Sequence, residues 1–170
     1  MWKYRGHSRP PFADEPRDGQ ESVWDYPRPP RLANDSRLVE VVSGSVIIAR
    51  STRTIRVLET ASPPTFYIPP DDVAVDRLTP AAGASVCEWK GTAGYWALAG
   101  NADVGPVGWS YAAPRGEFED IRDYFSFYPG RVACFVDGER VRPQPGGFYG
   151  GWLTDEIAGP VKGEPGTGHW

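Results

Sequence analysis

The sequence predicts a mainly β fold: one domain of coiled antiparallel sheets with one or two short helices, an extended N-terminal arm and a Gly-rich C-terminal tail. Three observations carry this. The chain has 170 residues, the size of a single domain with decorated ends. Its 18 Pro and 20 Gly exceed the usual shares of about 5% and 7%, which favours turns and extended chain over helix. Its apolar residues fall in short β-branched runs separated by turn residues.

Residues 1–36 are rich in Pro, Arg and Asp. Pro10-Pro11 and Tyr26-Pro27-Arg28-Pro29-Pro30 favour polyproline-type extended chain with no periodic apolar face, so the segment reads as an arm. Trp24 and Tyr26 are its candidate anchors, and residues 1–20 read as frayed.

The core spans residues 37–143. Leu38 to Val42 and Val46 to Ala49 flank Ser43-Gly44 and read as a hairpin. Ile55 to Glu59 forms a third strand. Thr65 to Ile68 forms a fourth, confined by its bracketing prolines to an edge or a short run. Asp71 to Leu78 reads as a short helical turn capped by Asp71. Val86 to Lys90 and Ala93 to Leu98 read as a hairpin around Gly91, followed by a strand from Val107 to Tyr111 and a short helix from Glu117 to Tyr124. Val132 to Val136 and Arg140 to Arg142, joined by Asp137-Gly138, close the core with a strong hairpin signal. Residues 144–170 form a Gly-rich tail whose Phe148, Tyr149, Trp152 and Trp170 argue for packing on the core, because disordered segments are poor in aromatics.

A net charge of −4, with Lys and Arg spread along the chain, lacks the basic face that a nucleic-acid partner requires. No run of about 20 apolar residues and no signal-peptide pattern is present, so neither a membrane partner nor a leader is expected, and the location expected by default is cytoplasmic. Cys87 and Cys134 read as reduced thiols in apolar segments. With no CxxC pair, and with His7 and His169 near opposite ends, no metal is expected. No phosphate-binding loop and no GxGxxG motif points to a cofactor.

The run from Gly44 to Gly138 contains Leu58-Glu59, Pro63-Pro64-Thr65-Phe66-Tyr67-Ile68-Pro69, Asp72-Val73, Cys87, Lys90-Gly91, Ala93, Tyr95, Trp109, Tyr111, Pro114 and Asp137-Gly138. With these phrases it resembles the bacterial domain-of-unknown-function family 427. The flanks, Tyr26 to Pro30 and Phe148-Tyr149-Gly150-Gly151-Trp152 followed by Gly159-Pro160-Val161-Lys162-Gly163, are similar to those of the longer members. The resemblance implies a β-tent, the Mss4-like architecture also found in methionine sulfoxide reductases of the B type. The family has carried a nucleotidyltransferase-like label, but the arrangement of a Gly-Ser followed by paired aspartates that would hold two metals is not found, and Asp71-Asp72, after two prolines, reads as a cap rather than a metal site. The chain departs from the family at Glu88, where Pro is common, and at Trp89.

Strand alternation places Ile55, Val57 and Glu59 on one face. A carboxylate in line with apolar residues needs a partner, and Lys90 is the candidate, forming either a structural ion pair or a charged pair in a cavity. The same alternation sets Cys87 and Lys90 on opposite faces, which argues against a thiol activated by lysine. Tyr67, Tyr95, Trp109 and Tyr111 fit either core packing or an aromatic-lined pocket. The candidate ligand site is therefore Glu59, Tyr67, Cys87, Lys90, Tyr95, Trp109 and Tyr111, binding an unidentified small molecule. The alternative is an interaction or structural module working through the arm and the tail, with contacts across a homodimer as one form of it.

Overall fold

The computed structural model describes all 170 residues. Strands are β1 (Glu21–Ser22), β2 (Arg31–Asp35), β3 (Val39–Ser43), β4 (Val46–Ser51), β5 (Thr54–Leu58) and β6 (Thr65–Tyr67), then β7 (Leu78–Cys87), β8 (Gly91–Leu98), β9 (Gly108–Ser110) and β10 (Phe125–Phe127). They continue with β11 (Ala133–Val136), β12 (Glu139–Arg140), β13 (Arg142–Pro143), β14 (Trp152–Leu153) and β15 (Ile157–Ala158). Three sheets, ordered β2-β5-β6, β10-β9-β8-β7 and β12-β11-β3-β4, make the body. All their neighbouring strands run antiparallel, as the mainly β reading requires. Two short ribbons, β13-β14 and the parallel pair β1-β15, attach the arm and the tail.

Local chemistry explains the turns. Asp137 and Gly138 both have positive φ, at 48° and 80°, which the tight turn between β11 and β12 needs. Asp137 also accepts a 2.9 Å bond from the Leu38 N–H through Oδ1, fixing the turn to the start of β3. Short β6 is an edge strand of its sheet, where the neighbouring prolines disrupt no central ladder. Just past it, Ile68 and Phe125 exchange backbone bonds of 2.7 and 2.9 Å, which joins the edge of this sheet to β10 and curves two sheets into one wall.

The largest apolar cluster lies around β3, β4 and β11 and includes Val39, Val41, Ile48, Phe66, Phe127 and Trp152. Trp152 is fully buried, stacks on Phe66 at 4.9 Å and donates its indole N–H to the Phe127 carbonyl at 2.9 Å. Its tail segment is thus part of the central core. A second cluster of Ile55, Val57, Tyr67, Trp109, Tyr111 and neighbours lies between the two joined sheets. A third collects Val23, Trp24 and Tyr26 from the arm with Leu58 and Ile157.

Several local expectations are corrected. Residues 1–20 are anchored: Tyr4 and Phe12 meet Trp24 edge-on at 5.5 Å each, and Arg9 binds both carboxylate oxygens of Asp25 at 2.8 and 2.7 Å. Arg31–Asp35, within the stretch read as arm, is a strand paired with β5. The helical segments are 3-10 turns, at Pro70–Asp72, Val75–Arg77 and Gly116–Ile121 among others. Asp71 caps none of them, because Pro69 holds the N-cap position without a side-chain bond and the adjacent Asp72 is drawn to Arg53 and Ser51. The hairpin between β7 and β8 turns at residues 88–90, ahead of Gly91. No helix is long and apolar enough to cross a membrane.

Candidate functional site

Between the two joined sheets, under the arm and the tail, lies a cavity of about 330 Å³. Val57 and Glu59 reach it from β5 and the residue after it, Tyr67 from β6, Ala93 and Tyr95 from β8, and Trp109 from β9. The predicted alternation of β5 accounts for Val57 and Glu59 sharing this face, while Arg56 turns the other way to bind Glu21 at 3.1 Å. Cys87 and Lys90 enter from either end of the three-residue turn, and Tyr111 completes this wall. All seven residues singled out in the sequence therefore line one cavity.

The expected ion pair between Glu59 and Lys90 does not form. Glu59 Oε2 instead accepts from Arg28 Nε at 3.3 Å. Arg28 comes from the arm with its side chain fully buried, and it also donates to the main-chain oxygens of Thr60 and Trp170 at 2.9 and 3.0 Å. A buried guanidinium has the stronger need for a carboxylate. Lys90 Nζ has no carboxylate within 4.0 Å. It lies 5.7 Å from the Tyr111 ring centroid, with Cys87, Tyr67 and Glu59 as its electrostatic neighbours.

Alternation had set Cys87 and Lys90 on opposite faces. The turn over residues 88–90 removes that constraint, because these residues are no longer in a strand.

The arm and the tail supply the other half of the site. Trp2 presents its ring to Arg28 at 4.0 Å and to Lys162 at 4.8 Å, and Lys162 also lies 5.5 Å from the Tyr149 ring. Lys162 Nζ has no Asp or Glu carboxylate within 4.0 Å either, and donates to a main-chain oxygen of Trp170, the last residue of the sequence, at 3.5 Å. Gln144 ties the tail together, accepting from Gly151 N–H at 3.1 Å and donating to the Lys162 carbonyl at 2.7 Å. Gly150 and Gly151 must lack side chains, since a Cβ at either would collide with the Trp109 ring or with Gln144 and Pro63.

Burial would lower the Lys90 pKa, but Tyr67, Cys87 and Glu59 outweigh it and hold the ammonium above the usual lysine range. Lys162 moves the opposite way: burial and the Arg28 charge lower it, against Glu59 and Glu88. Burial raises Tyr111, and burial with Tyr95 pushes Tyr128 up to about 12, so the phenols stay neutral donors near neutral pH. The Trp89 indole N–H, at the cavity wall, is buried without a partner. No group of three or more His, Cys, Asp or Glu side chains is arranged to hold a metal ion.

Sequence reasoning missed Trp2, Trp89, Tyr128, Tyr149 and Lys162 as lining residues. Lys162 did carry a signal, since it stands in the Gly-Pro-x-Lys-Gly segment of the family flank.

The fold and site define a small β domain enclosing an aromatic-walled cavity whose charged lining is Glu59, Glu88, Lys90 and Lys162. A family model described as a domain of unknown function, DUF427, matches residues 31–138. The chain belongs to that family. Comparison with curated proteins finds no match.

Proposed function

We propose that the protein binds a small molecule with an apolar, planar body and at least one negative charge, in a reducing cytoplasm where its two free cysteines persist. One observation carries the reading: Lys90 reaches an aromatic-walled cavity without a carboxylate within 4.0 Å, and Lys162 lines the same cavity with no Asp or Glu partner. A half-buried ammonium without a counterion is costly, and a ligand carboxylate or phosphate would supply one. The rings of Tyr67, Tyr95, Trp109 and Tyr149 suit a flat ligand body, and about 330 Å³ is the lower end of the size range of ligand pockets.

The interaction-module reading draws on the exposed tail aromatics, chiefly Phe148 at 76% exposure. Phe148 and Tyr149 also form the rim of the cavity, so a ligand contact accounts for them without a partner protein.

A thermal-shift screen of paired compounds, each anion beside its neutral isostere, tests the reading. Anions with a ring should raise the melting temperature of the protein and their neutral partners should not. Equal stabilisation by both members, or by neither across the panel, would overturn it.

A further inference from the structure

Cys87 and Cys134 are in opposite surroundings. Cys134 is fully buried in the main core, its thiol bonded to the Val132 carbonyl at 3.7 Å and pushed up by burial. Cys87 is only partly buried, at the end of β7 where the chain turns, and it lines the cavity beside Lys90. Lys90 is partly buried and lacks a carboxylate partner, which marks the space next to the sulfur as a place for negative charge.

We propose that Cys87 is a nucleophile of this cavity, selective for small carbonyl electrophiles that carry a negative charge, such as aldehyde acids and α-oxo acids. The inference rests on the anion-binding reading of the same cavity. Lys90 or Lys162 holds the ligand's anionic group, and the carbonyl carbon comes within reach of Sγ. A bond forms between Sγ and that carbon as the carbonyl π bond opens onto oxygen, giving a hemithioacetal or hemithioketal. The thiol proton ends on the new hydroxyl, relayed by the Lys90 ammonium, which is unchanged overall. No oxidant, reductant or third reactant is needed, and the adduct reverses by the same path. Lys90 is the proton carrier and not the nucleophile, because an amine attacks only when unprotonated.

Two probes of similar size and different charge test this on the full chain. Iodoacetate and iodoacetamide both alkylate sulfur with loss of iodide, the thiol proton passing to solvent. Each rate is measured by mass spectrometry at Cys87 and Cys134 under native conditions, with N-acetylcysteine as the free-thiol reference. Cys87 should prefer iodoacetate about tenfold more than the reference does, the effect of one charge-assisted contact. Lys90→Met should erase that preference, Cys134 should remain unlabelled, and 4-formylbenzoate should protect Cys87 reversibly.

A Cys87 with the charge preference of N-acetylcysteine, or one that 4-formylbenzoate does not protect, overturns the proposal. Benzoate, which has no electrophilic carbonyl, separates the two levels. If benzoate stabilises the protein while Cys87 shows no selectivity, the nucleophile falls and the anion site stands. If benzoate and 4-formylbenzoate both fail to stabilise it and Cys87 is unselective, both fall.

Discussion

Replacing Trp152 by Ala should be among the most damaging single changes outside the cavity. The ring is fully buried, stacks on Phe66 at 4.9 Å and bonds the Phe127 carbonyl at 2.9 Å. Truncating a buried Trp to Ala costs about 3–5 kcal/mol. The upper half of that range applies because the Phe127 carbonyl, in a strand with no exposed residue, also loses its donor. For a chain of this length a kcal/mol corresponds to roughly 2–4 °C of melting temperature, so the variant should melt about 8–20 °C lower. Phe148→Ala, four residues earlier in the tail but 76% exposed, is the control and should stay within about 0.5 kcal/mol of the parent. The assay is thermal and urea unfolding of the three proteins side by side. A Trp152→Ala protein that melts with the parent would refute the claim that the tail is part of the central core.

Glu59→Gln removes the carboxylate partner of the buried Arg28 and should cost about 1–3 kcal/mol in urea unfolding. The same change should strengthen anion binding in a titration, since it removes the negative group nearest both lysines; weakened binding would argue that Glu59 itself holds the ligand. Asp35 should show in the acid limb of stability. Burial would raise its pKa, but the Arg37 side chain and N–H, with Arg56, outweigh that and hold it below the usual aspartate range. Its contribution is then present above pH about 3.9 and lost as pH falls through the lowered native value. The stability gap between the parent and Asp35→Asn, measured by urea unfolding, should therefore narrow from pH 6 towards pH 2, and a constant gap would contradict this. Gly150→Val should abolish ligand-induced thermal stabilisation by driving the tail off Trp109, and retained stabilisation would show that the tail does not close the cavity.

The strands were legible wherever a β-branched run ended at a residue that only a turn accommodates, as at Gly44 and at Asp137-Gly138. The turn after Cys87 was not, because Cys87-Glu88-Trp89-Lys90 alternates in polarity like a strand and its only turn residue, Gly91 with φ of 108°, comes at the end. That single misplacement put Lys90 on the wrong side of Cys87. Glu59 was correctly given a cavity face, but its partner comes from the arm, 31 residues earlier in the chain, and no local periodicity encodes such a pairing. The same holds for the arm as a whole. Its prolines read as extended chain, whereas the structure turns at Pro11-Phe12 and bends at Tyr26 and Arg28-Pro29, and one contact that holds it, Trp24 meeting Trp170 at 5.4 Å, joins stretches far apart in the sequence.

The central claim is that the cavity recognises negative charge through Lys90 and Lys162. Its most direct test is a tryptophan-fluorescence titration, read from Trp2, Trp89 and Trp109, of benzoate against benzamide on the parent and on the Lys90→Met/Lys162→Met double variant. Benzoate should bind the parent more tightly than benzamide by about tenfold or more, the worth of a charge-assisted contact of about 1.5–3 kcal/mol, and the double variant should lose that preference while keeping the parent's fold by circular dichroism. Equal affinity of the parent for the two probes, or an unchanged preference in the double variant, would contradict the account.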